Sequence, residues 1–128
     1  MKNLLMVVLA ALGLCSSCSA QDSIPSLSPE DFAEALKTDT AAVVLDVRTP
    51  DEYAGGHLAG AVLLDVQNAE AFARGLDKLS RQKTYYVYCR SGRRSMTAAG
   101  RMRAAGFSVV NMSGGILAWQ KCRLPVTE

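Results

Sequence analysis

The stretch Thr84-Tyr85-Tyr86-Val87-Tyr88-Cys89-Arg90-Ser91-Gly92-Arg93-Arg94-Ser95 decides how this chain reads. Its first five residues form a continuous apolar and aromatic run, the pattern of a strand covered on both faces. A cysteine follows, then a short turn with a glycine and three arginines, then a helical pattern over Ser95 to Ala105 that Gly106 closes. Such a strand delivers the sulfur of Cys89 to its carboxyl end. The turn aims successive backbone N–H groups inward, and the helix adds the positive end of its dipole. All three effects favour the thiolate of Cys89, which is the nucleophilic form. Arg90, Arg93 and Arg94 repel one another unless an anion or a charged sulfur lies among them.

Working outward, the chain alternates strands with helices. Ser28-Pro29-Glu30-Asp31 is a helix start with Ser28 as cap, and Phe32 and Leu36 share one face before Lys37. Ala41 to Val47 is an apolar run of strand length. Thr49-Pro50-Asp51-Glu52 is a capping box that opens a second helix, kept short by Gly55-Gly56. Ala61 to Leu64 predicts a short buried strand, and Ala69 to Leu79 an amphipathic helix with Phe72, Leu76 and Leu79 inward. Ala98, Ala99 and Gly100 predict close approach of the helix after Cys89 to a sheet. Ser108 to Asn111 is the last strand, Gly114-Gly115 a turn, and Ile116 to Lys121 a terminal helix. Short connections between alternating elements mean an α/β fold with a largely parallel sheet. In such sheets ligands bind beyond the carboxyl ends of the strands, where Cys89, Asp46 and Arg48 all fall.

At 128 residues the chain supports one domain. Lys2 precedes the apolar run Leu4 to Leu12, too short to span a bilayer and followed by small residues. Residues 1–18 therefore read as a signal peptide, residues 19–23 as a short tether and residues 24–128 as the folded domain. Cleavage after Ala20 fits a small-x-small rule. Ser17-Cys18 instead resembles the end of a bacterial lipobox, with Cys18 as the lipidation candidate and Cys15 a poor match three positions earlier. The lipoprotein reading is favoured slightly, and both readings place the protein outside the cytoplasm, in a bacterial periplasm or cell envelope, with a lipid tether to the membrane in the second. Cys15 and Cys18 have Cys-x-x-Cys spacing, but they trail a signal peptide instead of a strand, which argues against redox use.

Removing residues 1–18 leaves 13 basic and 12 acidic residues, a net charge of +1. That balance does not suggest nucleic acid or an anionic membrane surface as partner. The basic character is local, at Arg90, Arg93, Arg94, Arg101 and Arg103. His57 is the only histidine, so neither a histidine metal cluster nor a Ser-His-Asp triad is expected, and no cofactor is implied.

Asp46-Val47-Arg48, Glu52-Tyr53 and Gly56-His57-Leu58-Ala59-Gly60-Ala61 together resemble the N-terminal signature of rhodanese-homology domains. Cys89 to Ser95 resembles their active-site loop, and Gly114-Gly115 with Trp119 their closing segment. The resemblance covers about residues 24 to 124. It implies a small single-domain thiosulfate sulfurtransferase of the exported kind, with a five-stranded sheet between helices. It also implies that the Cys89 thiolate takes the outer sulfur of a small anionic donor such as thiosulfate as a persulfide. A thiol, or cyanide in an assay, then accepts that sulfur. Under that reading the N–H groups of residues 90 to 94 cradle the sulfur and donor. Gly92 allows a backbone angle that side chains disfavour. Arg94 holds the turn or contacts the donor, Arg90 and Arg93 draw the dianion from solvent, and Ser91 lends its N–H. Ser95 caps the next helix or donates to the sulfur.

Phosphatases of the same wider fold need five residues between cysteine and arginine, whereas four separate Cys89 from Arg94. The competing class is a non-catalytic module, a sulfur carrier or a binding domain using the same pocket. Asp46 and Arg48 are expected to line or support the site; an Arg48–Glu52 pair, or Asp46 accepting loop N–H groups, explains them equally well. His57 is expected to hydrogen-bond a neighbouring loop, with a general base for Cys89 as its alternative, and Trp119 and Met112 are expected to lie in the core. Cys122 is expected to be a small buried hydrophobe, with a resolving thiol for Cys89 as its alternative. The protein is expected to be a monomer.

Overall fold

The computed structural model describes residues 23–128; the expected signal peptide, Cys15, Cys18 and all but the last residue of the expected tether lie outside the described residues. Strands β1 (Ser26–Leu27), β2 (Ala42–Asp46), β3 (Val62–Leu63), β4 (Thr84–Tyr88) and β5 (Ser108–Met112) form one sheet in the order β1-β5-β4-β2-β3, with every pair parallel. Helices α1 (Pro29–Thr38), α2 (Pro50–Ala54), α3 (Ala69–Leu76), α4 (Arg93–Ala104) and α5 (Gly115–Lys121) connect them. Among the described residues no helix is long and apolar enough to cross a membrane.

Period-two alternation along β4 divides the core. Tyr85, Val87 and the following Cys89 face α3 and α4, packing with Leu45, Val47, Phe72, Ala98, Ala99 and Met102. Tyr86 and Tyr88 face the other side, where Phe32 of α1 and Ile116 and Trp119 of α5 cover them. The chain runs from β2 outward to β3, returns to β4, and runs outward the other way to β5. The topological switch point therefore lies between β2 and β4, whose register pairs Asp46 with Tyr88. Loops leaving the carboxyl ends of two strands at such a point diverge and leave a crevice.

The four strands predicted from pattern are present, each within a residue or so of its expected ends. The fifth, β1, is two residues long on the sheet edge and carries no pattern of its own. Helix α3 ends at Leu76 instead of Leu79. Its last turn tightens into i→i+3 bonds, Lys78 N–H to Gly75 and Leu79 N–H to Leu76, and this still sets Leu79 against the core. Gly100 does not face the sheet: Ala98 and Ala99 are buried, while Gly100 is exposed with open space where a Cβ would stand.

Candidate active site

Helix α4 begins two residues earlier than expected, at Arg93, because Gly92 takes the cap position with φ 102°. That left-handed angle, open to glycine at little cost, turns the chain from β4 straight into a helix N-terminus. The cap supplies no side-chain oxygen, so the first N–H groups of α4 are left for another acceptor. The Cys89 sulfur is that acceptor. Gly92 N–H donates to Sγ at 3.0 Å, and the backbone N–H groups of Ser91 and Ser95 and the Ser95 hydroxyl also reach it. Burial pushes the Cys89 thiol up, but these four donors outweigh it and set its pKa below that of an ordinary thiol. Ser95 is fully buried, and its Oγ also lies 3.2 Å from the Gly92 carbonyl. The Ser95 hydroxyl, with one proton to give, thus has two acceptors within reach, the carbonyl and the sulfur.

The turn is held from behind by α5. Ile116 N–H donates to the Cys89 carbonyl at 2.9 Å, and Leu117 N–H to the Arg90 carbonyl at 3.2 Å. With those carbonyls turned toward α5, the N–H groups of the turn face the sulfur. The contact is close: at Gly115, φ 63°, a Cβ would overlap the Arg90 carbonyl. Gly114-Gly115 is thus a seat for the loop as well as a turn.

The arginines divide into two kinds. Arg94 is committed: its guanidinium makes two bonds to Glu52, Nη1 to Oε1 at 2.7 Å and Nη2 to Oε2 at 2.9 Å. Arg94 thus holds the turn, and Glu52 takes the place at its fork. Glu52 is itself fixed by the capping box of α2, accepting from Thr49 N–H and Oγ1 at 3.1 Å. The paired guanidinium holds the Glu52 carboxyl down at about 2. Arg90 and Arg93 are exposed and have no ion-pair partner among the described residues.

Beneath the loop lies a buried polar cluster at the β2–β4 register pair. Asp46 is completely buried and accepts from Arg48 Nε at 3.0 Å, Arg48 Nη2 at 2.7 Å and Arg48 N–H at 3.0 Å. Tyr88 Oη donates to Asp46 Oδ2 at 2.6 Å and accepts from Leu58 N–H at 3.1 Å. Burial, then the bond to Asp46, pushes the Tyr88 phenol far up, so it stays a neutral donor. Arg48 also donates to the Gly56 carbonyl at 2.6 Å. Two expectations are corrected here. Arg48 pairs with Asp46 and not with Glu52, and Asp46 spends its oxygens on Arg48 and Tyr88, not on N–H groups of the loop after Cys89. It supports the site through Tyr88, the residue next to Cys89. The hydrogen bond from the Tyr88 hydroxyl was not legible in sequence, because it depends on strand register.

His57 is structural: it stacks on Tyr53, its Nδ1 lies 2.8 Å from the Tyr53 carbonyl, and its backbone pairs with Thr127. Trp119 and Met112 are in the core. Cys122 is exposed and not buried, since it follows the last turn of α5 on the solvent side. Among the described residues no group of three or more His, Cys, Asp or Glu side chains is placed to hold a metal.

Of the hollows lined by described residues, two open beside the loop. One, about 240 Å³, is lined by Asp51, Glu52, Arg90, Leu117 and Gln120 among others. The other, about 450 Å³, is lined by Val66, Gln67, Ala69 and, from α4, Arg93, Arg94, Thr97 and Arg101. Glu52 borders the first and Arg94 the second, so their ion pair is the partition between them.

The description "rhodanese-like domain" matches residues 28–122, from the cap of α1 to the end of α5. The chain belongs to the rhodanese-like domain family. Among rhodanese-like relatives, the thiosulfate sulfurtransferase GlpE of Pseudomonas entomophila is 38% identical over 95 residues, covering 73% of this chain and 83% of the relative. YrkF of Bacillus subtilis, named a candidate sulfur carrier protein, is 36% identical over 98 residues, covering 76% of this chain and 51% of the relative. The chain thus spans about half the length of YrkF. The solved rhodanese-related protein from Thermoplasma volcanium superposes with a TM-score of 0.70 at 31% identity, covering 80% of this chain and 97% of that one. The rhodanese-like α/β fold and the sulfurtransferase family are therefore established for this chain.

Proposed function

We propose that this rhodanese-like domain is a thiosulfate sulfurtransferase in which Cys89 carries the sulfur. The observation that carries the reading is the cradle: a cysteine sulfur at a helix N-terminus, bonded by Gly92 N–H at 3.0 Å and held below the ordinary thiol range. The Cys89 thiolate attacks the outer sulfur of thiosulfate. A new S–S bond forms, the donor's S–S bond breaks, and sulfite leaves with the bonding pair. The outer sulfur of the Cys89 persulfide then occupies the N–H cradle. A thiolate or cyanide attacks that sulfur, and Cys89 leaves again as thiolate. Arg90 and Arg93, exposed and without an ion-pair partner among the described residues, attract the dianionic donor; Ser91, Gly92 and Ser95 supply the donors to sulfur. Arg94, with Asp46 and Arg48 beneath it, positions the loop.

Likeness to GlpE, whose name specifies thiosulfate, supports the donor, and likeness to YrkF supports a second reading as a sulfur carrier that discharges only to a partner. The apolar run Leu4 to Leu12 and the Ser17-Cys18 pair support export to the periplasm or cell envelope with lipid on Cys18. Intact-mass spectrometry of the exported protein, after thiosulfate and then cyanide, tests all of this. A gain of one sulfur on Cys89, removed by cyanide as thiocyanate, supports the enzyme. A persulfide that small acceptors do not discharge favours the carrier. No gain at a reduced, folded Cys89 overturns thiosulfate as donor, and the same spectrum reads the mass at Cys18.

A further inference from the structure

The edge of the sheet farthest from Cys89 carries a charge of its own. Because the strands are parallel, α1, α3 and α4 run back between them and end at the strands' amino edge. The helical acids sit in first turns, at the carboxyl edge: Glu30 and Asp31 in α1, Asp51 and Glu52 in α2, Glu70 in α3. The bases of these crossover helices sit in last turns, at the amino edge: Lys37 in α1, Arg74 in α3, Arg101 and Arg103 in α4. Favourable interaction with the helix dipoles accounts for that sorting. It does not account for Lys78, Arg81 and Lys83, exposed in the connection from α3 to β4 at the same edge. Arg81 is held in place by two bonds to the Ala105 carbonyl, 3.0 and 2.8 Å, which leave its charge whole. Against these bases stand Asp39, Asp77 and Glu34, the last paired with Lys37. The amino edge is therefore positive, and the near-neutral total hides it because acids and bases that alternate in sequence separate in space.

The chain enters the domain at this same edge. Arg103 Nη1 donates to the Ser23 carbonyl at 2.6 Å, and β1 then runs up beside β5. The segment before Ser23, outside the described residues, holds the apolar run Leu4 to Leu12 and the Ser17-Cys18 pair. We infer that the face formed by Lys78, Arg81 and Lys83 docks on the headgroups of an anionic lipid bilayer, beside the point where the N-terminal segment leaves the domain. The inference rests on the exported, membrane-tethered reading for its anchor, and not on the sulfur chemistry. Stable attachment takes two signals, and each base near an anionic surface adds about fivefold in affinity. The face also orients the site. From Lys83 to Cys89 the extended chain climbs about 20 Å. An anionic surface depletes a dianion about tenfold at contact, and its field decays over about 8–10 Å. Docked by its amino edge, the domain holds the Cys89 loop with Arg90 and Arg93 beyond that field, open to an anionic donor from water.

The test uses the full chain as exported, with vesicles of phosphatidylcholine alone or mixed with phosphatidylglycerol. Lysine acetylation, read by mass spectrometry, maps the face in contact. Lys78 and Lys83 should be protected on the mixed vesicles only. Lys121 should stay reactive on both, since α5 starts against the Cys89 and Arg90 carbonyls at the other edge. In flotation, Lys78→Gln with Lys83→Gln should weaken binding to mixed vesicles about 25-fold, fivefold for each base, and leave binding to phosphatidylcholine unchanged. Lys121→Gln with Arg123→Gln, the same change of charge, should alter neither. The kcat/KM for thiosulfate should be equal on both kinds of vesicle. Lys78 and Lys83 equally reactive on both, protection of Lys121 in their place, or equal loss in the two double variants would overturn the docking face. So would a tenfold fall in kcat/KM on mixed vesicles, or a DNA duplex that binds the face as tightly as the lipid does. The footprint needs no turnover, so it stands or falls apart from the sulfurtransferase reading. Docking that depends on Lys78 and Lys83 in a chain without lipid on Cys18 keeps the face and removes the lipid tether; a lipidated chain with no preference for phosphatidylglycerol does the reverse.

Discussion

Arg94 and Glu52 lie 42 residues apart in the chain and meet through two hydrogen bonds of 2.7 and 2.9 Å. The pair joins the first turn of α4 to the capping box of α2, and so ties the loop after β4 to the loop after β2. It also answers an electrostatic problem. Arg93 and Arg94 occupy a helix N-terminus, where cations are disfavoured, and no acid lies in that turn. Glu52 neutralises Arg94 from outside the helix, and Arg93 is left without an ion-pair partner among the described residues.

Glu52→Gln is accordingly expected to slow sulfur transfer about tenfold and to cost roughly 1–2 kcal/mol of stability, a figure reduced for the pair's partial exposure. The folded carboxyl titrates at about 2, below the ordinary 4.5. The ion pair's contribution is therefore complete above about pH 4.5 and is lost as pH falls toward 2. Urea denaturation of wild type and variant across that range should show the two curves converging at the acid end. A gap that stays constant down to pH 2 would mean the cost is steric and not ionic.

Cys89→Ala should abolish transfer and leave the fold intact. It removes one sulfur from a packed site, a change worth about 1 kcal/mol. Residual turnover in this variant, with an unchanged circular dichroism spectrum, would sink the persulfide mechanism.

Ser95→Ala removes the side-chain donor to the sulfur and leaves the backbone donors in place. Thiolate absorbance followed against pH should show the Cys89 midpoint below the ordinary thiol range in wild type and shifted upward in the variant. Transfer should then require higher pH, with the loss at neutral pH partly recovered at alkaline pH. Superimposable titration curves would remove Ser95 from the cradle.

Arg48→Met leaves the fully buried Asp46 carboxylate without its counter-ion and the Gly56 carbonyl without its donor. A loss of about 3–5 kcal/mol is expected. Arg48→Lys should recover little of it, because a point charge does not reproduce the fork that bonds Asp46 and Gly56 at once. Thermal denaturation compares the three proteins directly; full rescue by lysine would count against the forked geometry.

Two glycine substitutions should move stability in opposite directions. Gly100→Ala adds a methyl into open space in the interior of α4 and should stabilise by about 0.5–1 kcal/mol. Gly115→Ala places a methyl against the Arg90 carbonyl at a left-handed φ, so it should destabilise and distort the Cys89 loop together. A Gly115→Ala protein with wild-type stability and thiolate titration would show that α5 does not seat the loop.

Local chemistry wrote much of this protein where it can be read without a fold. The apolar run into Cys89, the glycine and arginines after it, the Thr49–Glu52 box and the Ser28-Pro29 helix start each depend on neighbours within four residues, so the α/β alternation and the place of the candidate nucleophile at a strand end were legible in order. The partners were not. Whether Glu52 meets Arg48 or Arg94 is decided by how two loops diverge at the switch point between β2 and β4. Whether Tyr88 reaches Asp46 is decided by strand register. Gly115 reveals its role only once α5 folds back on the loop. A one-dimensional pattern specifies which residues are able to do chemistry, because propensity and capping act over a few bonds. Which of them meet is set by long-range packing, because the contacts that select one pairing over another form only when distant segments are buried together.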